Sequence, residues 1–222
     1  TRKVLTQPVL LIAGKISGCR ISALLDAMAP GAALALAVSR FSEYSIGEGI
    51  GPDVTPAGLC FFPMAVVNEW EEWKYAVFML EGIVALVIFM VLLMGERKRS
   101  GDQARLFLIL YSSSQILLEA LRRDNFLRWL FVRVSQVTAA VVLLGLLLFA
   151  VLRWSRKPEG ERMSGKKLMV LNGIFLLLVG AVIALEFAID KSATISVAMA
   201  YLLEACCALG FGIVTYQVVM KN

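Results

Sequence analysis

Long apolar runs separated by short charged loops set the pattern of this chain. A helix needs about 20 residues to cross the roughly 30 Å hydrocarbon core of a bilayer. Six runs approach or reach that length: Ile21 to Ser39, Tyr75 to Met94, Leu106 to Leu121, Val134 to Leu152, Leu168 to Ala188 and Ala193 to Val219. No strand-like alternation of apolar and polar residues competes with them. The pattern predicts an all-α integral membrane protein with about six transmembrane helices.

A further apolar segment, Val9 to Ala13, is too short to span a bilayer. We interpret it as the end of a partial amino-terminal helix, because the chain opens on Thr1 rather than on methionine. On this interpretation the sequence is an amino-terminally truncated piece of a longer protein.

Composition and charge agree with the membrane class. Apolar residues make up 59% of the chain and charged residues 18%, whereas a soluble domain is about half apolar and a quarter charged. The net charge is +5, but the basic residues cluster in loops between apolar runs. This placement indicates contacts with lipid headgroups rather than with nucleic acid.

The loops also predict an orientation. Basic residues are concentrated before the first span and after the second, fourth and last spans, which places these loops on one side of the membrane. The positive-inside rule makes that side cytoplasmic, so the carboxyl-terminal end of the chain, which carries Lys221, is expected in the cytoplasm. The opposite side holds the loop from Arg40 to Lys74, which is acidic on balance.

One outer loop breaks this rule, because it carries four arginines. One explanation is an interfacial helix whose Trp129 and arginines reach into the headgroups. The other is that some of the arginines bind a lipid phosphate. The sequence leaves both open for Arg122, Arg123, Arg128 and Arg133.

The candidate chemistry is carried by ionisable residues at the membrane boundary, since the chain contains no histidine. The commonest general base and zinc ligand is therefore absent from it, and no metal site is predicted. Arg40, Glu43 and Glu48 follow the first span, where charged groups are functional candidates by default. One face of the third span carries Tyr111, Gln115, Glu119 and Arg122.

Several of these residues fall into spaced motifs that resemble bacterial prolipoprotein diacylglyceryl transferases. Residues 25–31 read Leu-Asp-Ala-Met-Ala-Pro-Gly, like the family's Asp-x-x-Ala-Pro helix. Arg40, Gly47-Glu48 and Gly51 follow its Arg-x-x-Asn-x-x-Asn-Gly-Glu-x-x-Gly segment. Further residues in the family's order are Glu81-Gly82, Gly101, Tyr111, Glu119, Arg122, Asp124 and Ser135-Gln136. We expect residues 1–153 to form the transferase-like domain and residues 154–222 an additional transmembrane hairpin.

The resemblance implies a reaction at the outer face of the bacterial plasma membrane. The family transfers diacylglycerol from phosphatidylglycerol to the lipobox cysteine of a prolipoprotein, releases glycerol phosphate and needs no cofactor. The implied partners are therefore phosphatidylglycerol, or another anionic phospholipid, and a prolipoprotein acceptor.

The resemblance also implies roles for individual residues. Arg40 would bind or neutralise the phosphate and Glu48 would orient it, as the catalytic pair. Gly47 and Gly51 would let the backbone approach the headgroup, and Tyr111 would line the lipid cavity. The other expected substrate-binding residues are Glu43, Gln115, Glu119, Arg122 and Arg123.

The chain departs from the family pattern at Gln115, where the family has an arginine, and at Glu43 and Ile46, where it has asparagines. Glutamine can hydrogen-bond a phosphate but cannot neutralise it. The sequence thus predicts either a transferase in which Arg122 and Arg123 replace the lost charge, or a non-catalytic lipid- or lipoprotein-binding protein on the same fold.

Two further membrane carboxylates, Glu186 and Glu204, leave a third alternative open. With Glu119 they would suit a small transporter, but no inverted repeat is apparent in the sequence. We favour polar contacts between helices for Glu186 and Glu204.

Overall fold

Six long helices form a bundle in the part of the chain that the structure describes. The computed structural model describes residues 20–95, 99–123, 128–129, 132–158, 162–191 and 197–221. Its long helices are α1 (Ile21–Ser42), α2 (Val77–Met94), α3 (Asp102–Leu121), α4 (Val134–Ser155), α5 (Gly165–Lys191) and α6 (Val197–Met220). All six are long and apolar enough to cross a membrane. The predicted class, an all-α multi-pass membrane protein, is confirmed.

The helix boundaries differ modestly from the predicted ones. Helix α3 begins at Asp102, four residues before the predicted span, and α5 extends three residues further at each end. The predicted stub Val9 to Ala13, and the predicted start of the last span at Ala193, lie outside the described residues.

A small antiparallel sheet, which the sequence did not predict, joins α1 to α2. Its strands are β1 (Ile50–Asp53), β2 (Ala65–Val67) and β3 (Trp73–Ala76), with β3 in the centre. Tyr75 therefore belongs to β3 rather than to the second span, and α2 begins at Val77. We call this end of the bundle the sheet end.

Lys74 ties the strands of this sheet together. Its ammonium group forms ion pairs with Asp53 on β1 and, at 2.9 Å, with Glu72. The hydrogen bond from Lys74 also lowers the pKa of the exposed Glu72 carboxyl below its usual value.

The arginine-rich loop is a hairpin where the structure describes it. Strand β4 (Arg128–Trp129) pairs antiparallel with β5 (Val132–Arg133), and α4 begins directly afterwards. The prediction of an interfacial helix is therefore wrong at residues 128–129 and 132–133. The buried side chain of Arg133 enters the bundle at the start of α4.

Small residues allow α1 and α2 to approach closely. Ala29, Ala33 and Ala37 are buried on α1. On α2, a Cβ added to Gly82 would lie 2.3 Å from the ring of Phe41. Close packing of this kind stabilises membrane helices, because lipid supplies little hydrophobic driving force between them.

Asp26 links α1 to the beginning of α3. Its Oδ2 accepts a hydrogen bond from the Gly101 backbone N–H at 2.6 Å, and its Oδ1 accepts one from Ala104 at 3.0 Å. The first N–H groups of a helix have no partner within the helix. Asp26 is therefore a cap supplied from another helix, and it explains the acidic residue in the Asp-x-x-Ala-Pro motif.

Replacing Asp26 tests this cap. We expect Asp26→Ala to lower the free energy of unfolding by about 1–3 kcal/mol, because buried N–H groups lose their acceptor. Asp26→Asn keeps one acceptor oxygen and should cost less. Denaturant unfolding in detergent measures both, with the exposed Glu69→Ala as the control. An Asp26→Ala protein as stable as the control would contradict the capping role.

Candidate functional site

Two arginines and two glutamates meet at the sheet end, and we call them the ion cluster. Arg40 lies in the last turn of α1, and Glu43 opens the short 3-10 helix Glu43–Ile46 that follows. Glu81 comes from the start of α2, and Arg122 directly follows α3. Three separate helices thus contribute to one site.

Glu81 is the centre of the cluster. Its Oε2 lies 2.8 Å from Arg40 Nε and accepts a hydrogen bond from Arg122 Nη1 at 3.1 Å. Both Glu81 and Arg122 are only 2% exposed. Buried charges are tolerated only when they are paired, so one carboxylate oxygen holds two guanidinium groups in a fixed relation.

Glu43 bridges the same two arginines from the other side. Its Oε1 accepts a hydrogen bond from Arg40 Nη1, and its Oε2 lies 3.2 Å from Arg122 Nη2. The side chain of Arg40 remains 19% exposed, whereas that of Arg122 is 2% exposed. The cluster is therefore open to the surroundings of the protein on the Arg40 side.

The turn after the 3-10 helix places Glu43 in this position. Gly49 has a φ of +72°, and a Cβ there would lie 2.6 Å from Glu43 Oε2 and 2.7 Å from Phe78 Cβ. Only glycine fits this backbone and this space. The Gly49 carbonyl accepts a hydrogen bond from the Phe78 N–H at 2.9 Å, which fixes the turn to α2.

The predicted face of α3 lies beside the cluster. Tyr111 is in contact with the Arg40 guanidinium and stacks on Phe107 with ring centroids 5.7 Å apart. Gln115 and Glu119 are buried further along the helix. Glu119 Oε2 lies 3.8 Å from Arg133 Nη1, so Arg133 is a cationic partner of this carboxylate.

Glu48 and Arg123 lie outside the ion cluster. Glu48 is exposed, and its carboxylate has no hydrogen bond or ion pair with the residues that the structure describes. Arg123 is also exposed and donates a hydrogen bond from Nη2 to the hydroxyl of Tyr201 on α6, at 2.7 Å. Their assignment as site residues stays a prediction that the geometry does not favour.

The two glycines that were expected to face a headgroup, Gly47 and Gly51, differ in the space around them. Gly47 has a φ of +69° and open space around it, so the backbone there is accessible. Gly51 is buried, and a Cβ there would lie 2.7 Å from Val77 Cγ2 and 3.3 Å from the Leu121 carbonyl oxygen. Gly51 therefore serves close packing of β1 against α2 and α3.

Two residues of the site were not selected from the sequence. Glu81 was noted as part of the resemblance but was not assigned to the site, although a lone acidic residue inside an apolar run is a signal in itself. The signal for Gly49 is weaker, because the sequence does not distinguish it from Gly47 and Gly51, which stand two residues away on either side.

A second buried network connects the arginines to α5. Gln136 on α4 donates from Nε2 to the Ile116 carbonyl at 3.0 Å and to the carboxylate of Glu186 on α5. Its Oε1 accepts from the Arg133 N–H at 3.1 Å, and Arg133 Nη2 donates to the Arg122 carbonyl. The polar contact between helices predicted for Glu186 is therefore present.

Comparison with known proteins identifies the family. Residues 4–152 match the family described as prolipoprotein diacylglyceryl transferase. Among its relatives are phosphatidylglycerol–prolipoprotein diacylglyceryl transferases from Streptococcus pyogenes serotypes M5, M49 and M18, each 28% identical over 140 residues. The alignment covers 60% of this chain and 53% of each relative, so the chain spans about half their length. No solved structure gives a significant match.

The family match covers the elements that build the ion cluster, from Arg40 on α1 to Arg122 after α3. It ends within α4, so α5 and α6 lie beyond it. The chain belongs to the prolipoprotein diacylglyceryl transferase family.

Proposed function

We propose that this chain transfers diacylglycerol from phosphatidylglycerol to the lipobox cysteine of a prolipoprotein. The observation that supports this most directly is the convergence of Arg40 and Arg122 at one end of a membrane-spanning bundle. Guanidinium groups bind phosphate through bidentate, charge-assisted hydrogen bonds. The pair thus suits a phospholipid whose phosphate lies at the sheet end and whose acyl chains lie along the helices.

In the proposed reaction the cysteine enters as the thiolate, and its sulfur attacks the carbon of the diacylglycerol moiety that carries the phosphate. A C–S bond forms, the C–O bond to phosphate breaks, and the departing oxygen keeps the electron pair as glycerol phosphate leaves. Arg40 and Arg122 stabilise the negative charge that develops on this oxygen. Tyr111 beside Arg40 limits the orientation of the guanidinium.

An apolar cavity of about 550 Å³ between α2, α3 and α6 supports the placement of an acyl chain. Its α2 wall contains Val84, Ile88 and Val91, which continue the helical row of Glu81. Its α3 wall contains Leu118, which lies one turn before Arg122. A lipid held by its phosphate at the ion cluster would therefore direct a chain into this cavity.

Filling the cavity tests this placement. Gly212 lines it on α6, and a Cβ there would already lie 3.4 Å from Ser113 Oγ. We expect Gly212→Leu to lower transfer about tenfold or more, because displacing a reacting group by about 1 Å can cost a hundredfold in rate. Gly180→Leu on α5 is the matched control, because nothing lies within 4 Å of its added Cβ.

The assay is transfer of labelled diacylglycerol to a lipobox peptide, together with crosslinking of phosphatidylglycerol that carries a photoreactive acyl chain. Crosslinks near Gly212 should disappear in Gly212→Leu and persist in Gly180→Leu. Equal transfer and equal crosslinking in the two variants would remove the acyl chain from this cavity.

The proposed location is the bacterial plasma membrane, with the sheet end outside and the carboxyl terminus in the cytoplasm. Clusters of Lys and Arg on alternate loops support this orientation. The reaction would then take place in the outer leaflet.

Reporter fusions test the orientation. A reporter inserted after Lys157 should be cytoplasmic and one inserted after Asp53 should be external, since the two loops differ in basic residues. Alkaline phosphatase and fluorescent protein fusions at each site report opposite sides. Both reporters on the same side would contradict the proposed topology.

Arginine substitutions test the phosphate site. We expect Arg40→Ala to weaken phosphatidylglycerol binding about tenfold or more, and Arg40→Lys to restore little of it, because lysine cannot form the bidentate contact. Arg123→Ala removes the same charge outside the ion cluster and should change affinity less than about twofold. Binding to the purified protein in nanodiscs of neutral lipid measures all three.

Two results would count against the proposal. Unchanged affinity in a folded Arg40→Ala protein would place the phosphate elsewhere. Strong binding by the intact protein without any transfer would favour the non-catalytic lipid-binding alternative.

A further inference from the structure

The arginine pair already holds an anion, and that anion belongs to the chain itself. The two oxygens of Glu43 face two different guanidinium groups, one on Arg40 and one on Arg122. A phosphodiester has two non-bridging oxygens that suit the same bridging arrangement. Glu43 therefore occupies the position between the two arginines that a lipid phosphate requires.

Glu43 fits this position incompletely. Its Oε2 is buried and has no hydrogen-bond partner in the part of the chain that the structure describes, although Arg122 Nη2 lies 3.2 Å away. Buried polar oxygens normally have hydrogen bonds. A ligand oxygen that is free to align with both guanidinium groups would make the bonds that Glu43 does not complete.

The local backbone allows this side chain to leave. Glu43 lies on a four-residue 3-10 helix, outside the regular hydrogen bonding of α1. The neighbouring Tyr44 and Ile46 are exposed, and a Cβ added to Gly47 would meet nothing within 4 Å. Glu81, by contrast, projects from the regular helix α2 and is almost fully buried, so it stays with the arginines.

We propose that Glu43 is an exchangeable internal anion, which holds Arg40 and Arg122 in place in the free protein and is displaced by the phosphate of the bound lipid. This inference rests on the phosphate site proposed above. A phosphodiester carries one negative charge, as does the carboxylate that it replaces, so the exchange leaves the charge balance of the buried cluster unchanged. The cluster never has to hold an uncompensated charge.

Because of this exchange, the Glu43 carboxylate competes with the lipid phosphate for the two arginines. A carboxylate with a purely structural role would not compete with the lipid. We expect Glu43→Gln to tighten phosphatidylglycerol binding about tenfold or more, because the variant no longer offers the arginines a competing charge. The shorter side chain of Glu43→Asp cannot bridge both arginines and should give an intermediate affinity. Glu81→Gln should weaken binding, because Glu81 holds both guanidinium groups in the bound state as well.

The experiment is a titration of the full chain, in nanodiscs of neutral lipid, with phosphatidylglycerol. Glu69→Gln is the control, since it removes the same charge from an exposed side chain in the same loop, outside the ion cluster. Thermal unfolding of each variant verifies that it is folded. An increase in affinity in Glu43→Gln, with Glu69→Gln unchanged, supports the exchange.

Two results overturn the inference and are distinguishable from one another. If Arg40→Ala weakens binding while Glu43→Gln leaves it unchanged or weakens it, the phosphate site stands and the exchange is wrong. If neither variant alters binding, the phosphate site itself is wrong and the exchange fails with it.

Discussion

The buried ion cluster is the constraint on which the arrangement of the bundle depends. Arg40 and Arg122 come from different helices, and both need an anionic partner in a region shielded from solvent. Glu81 serves both with one carboxylate oxygen, so α1, α2 and the end of α3 have to meet at that atom. Removing one partner of such a buried pair costs about 3–5 kcal/mol. The small residues on the facing surfaces of α1 and α2 permit the helices to approach closely enough.

The sheet belongs to this arrangement, because it determines where the chain goes after α1. The Ile50 carbonyl accepts a hydrogen bond from the Arg123 N–H at 2.8 Å, and the Gly49 carbonyl accepts one from Phe78. The turn before β1 is therefore attached to both α2 and the end of α3. As a result, Glu43 is held against the arginines although its own helical segment is only four residues long.

The sequence predicted the helices well and the site partly, for different physical reasons. Only helices satisfy their backbone hydrogen bonds within a bilayer without a partner strand, so long apolar runs are a direct signal. Strands of three or four residues, such as β2 and β3, are too short for alternation to be recognised. Motif spacing found Arg40 and Arg122, but it also selected Glu48, which is exposed. Whether a carboxylate points inward depends on contacts distant in sequence, such as those of Glu81 and Asp26.

The helices beyond the family match are physically joined to the matched part. Glu186 on α5 accepts a hydrogen bond from Gln136, and Gln136 in turn accepts one from the Arg133 N–H. Arg133 then donates to the carbonyl of Arg122 in the ion cluster. A buried amide without an acceptor is costly in lipid, where no water replaces it. Helices α3, α4 and α5 therefore share one polar interior, and α5 supplies an acceptor that helps to hold Arg122 in position.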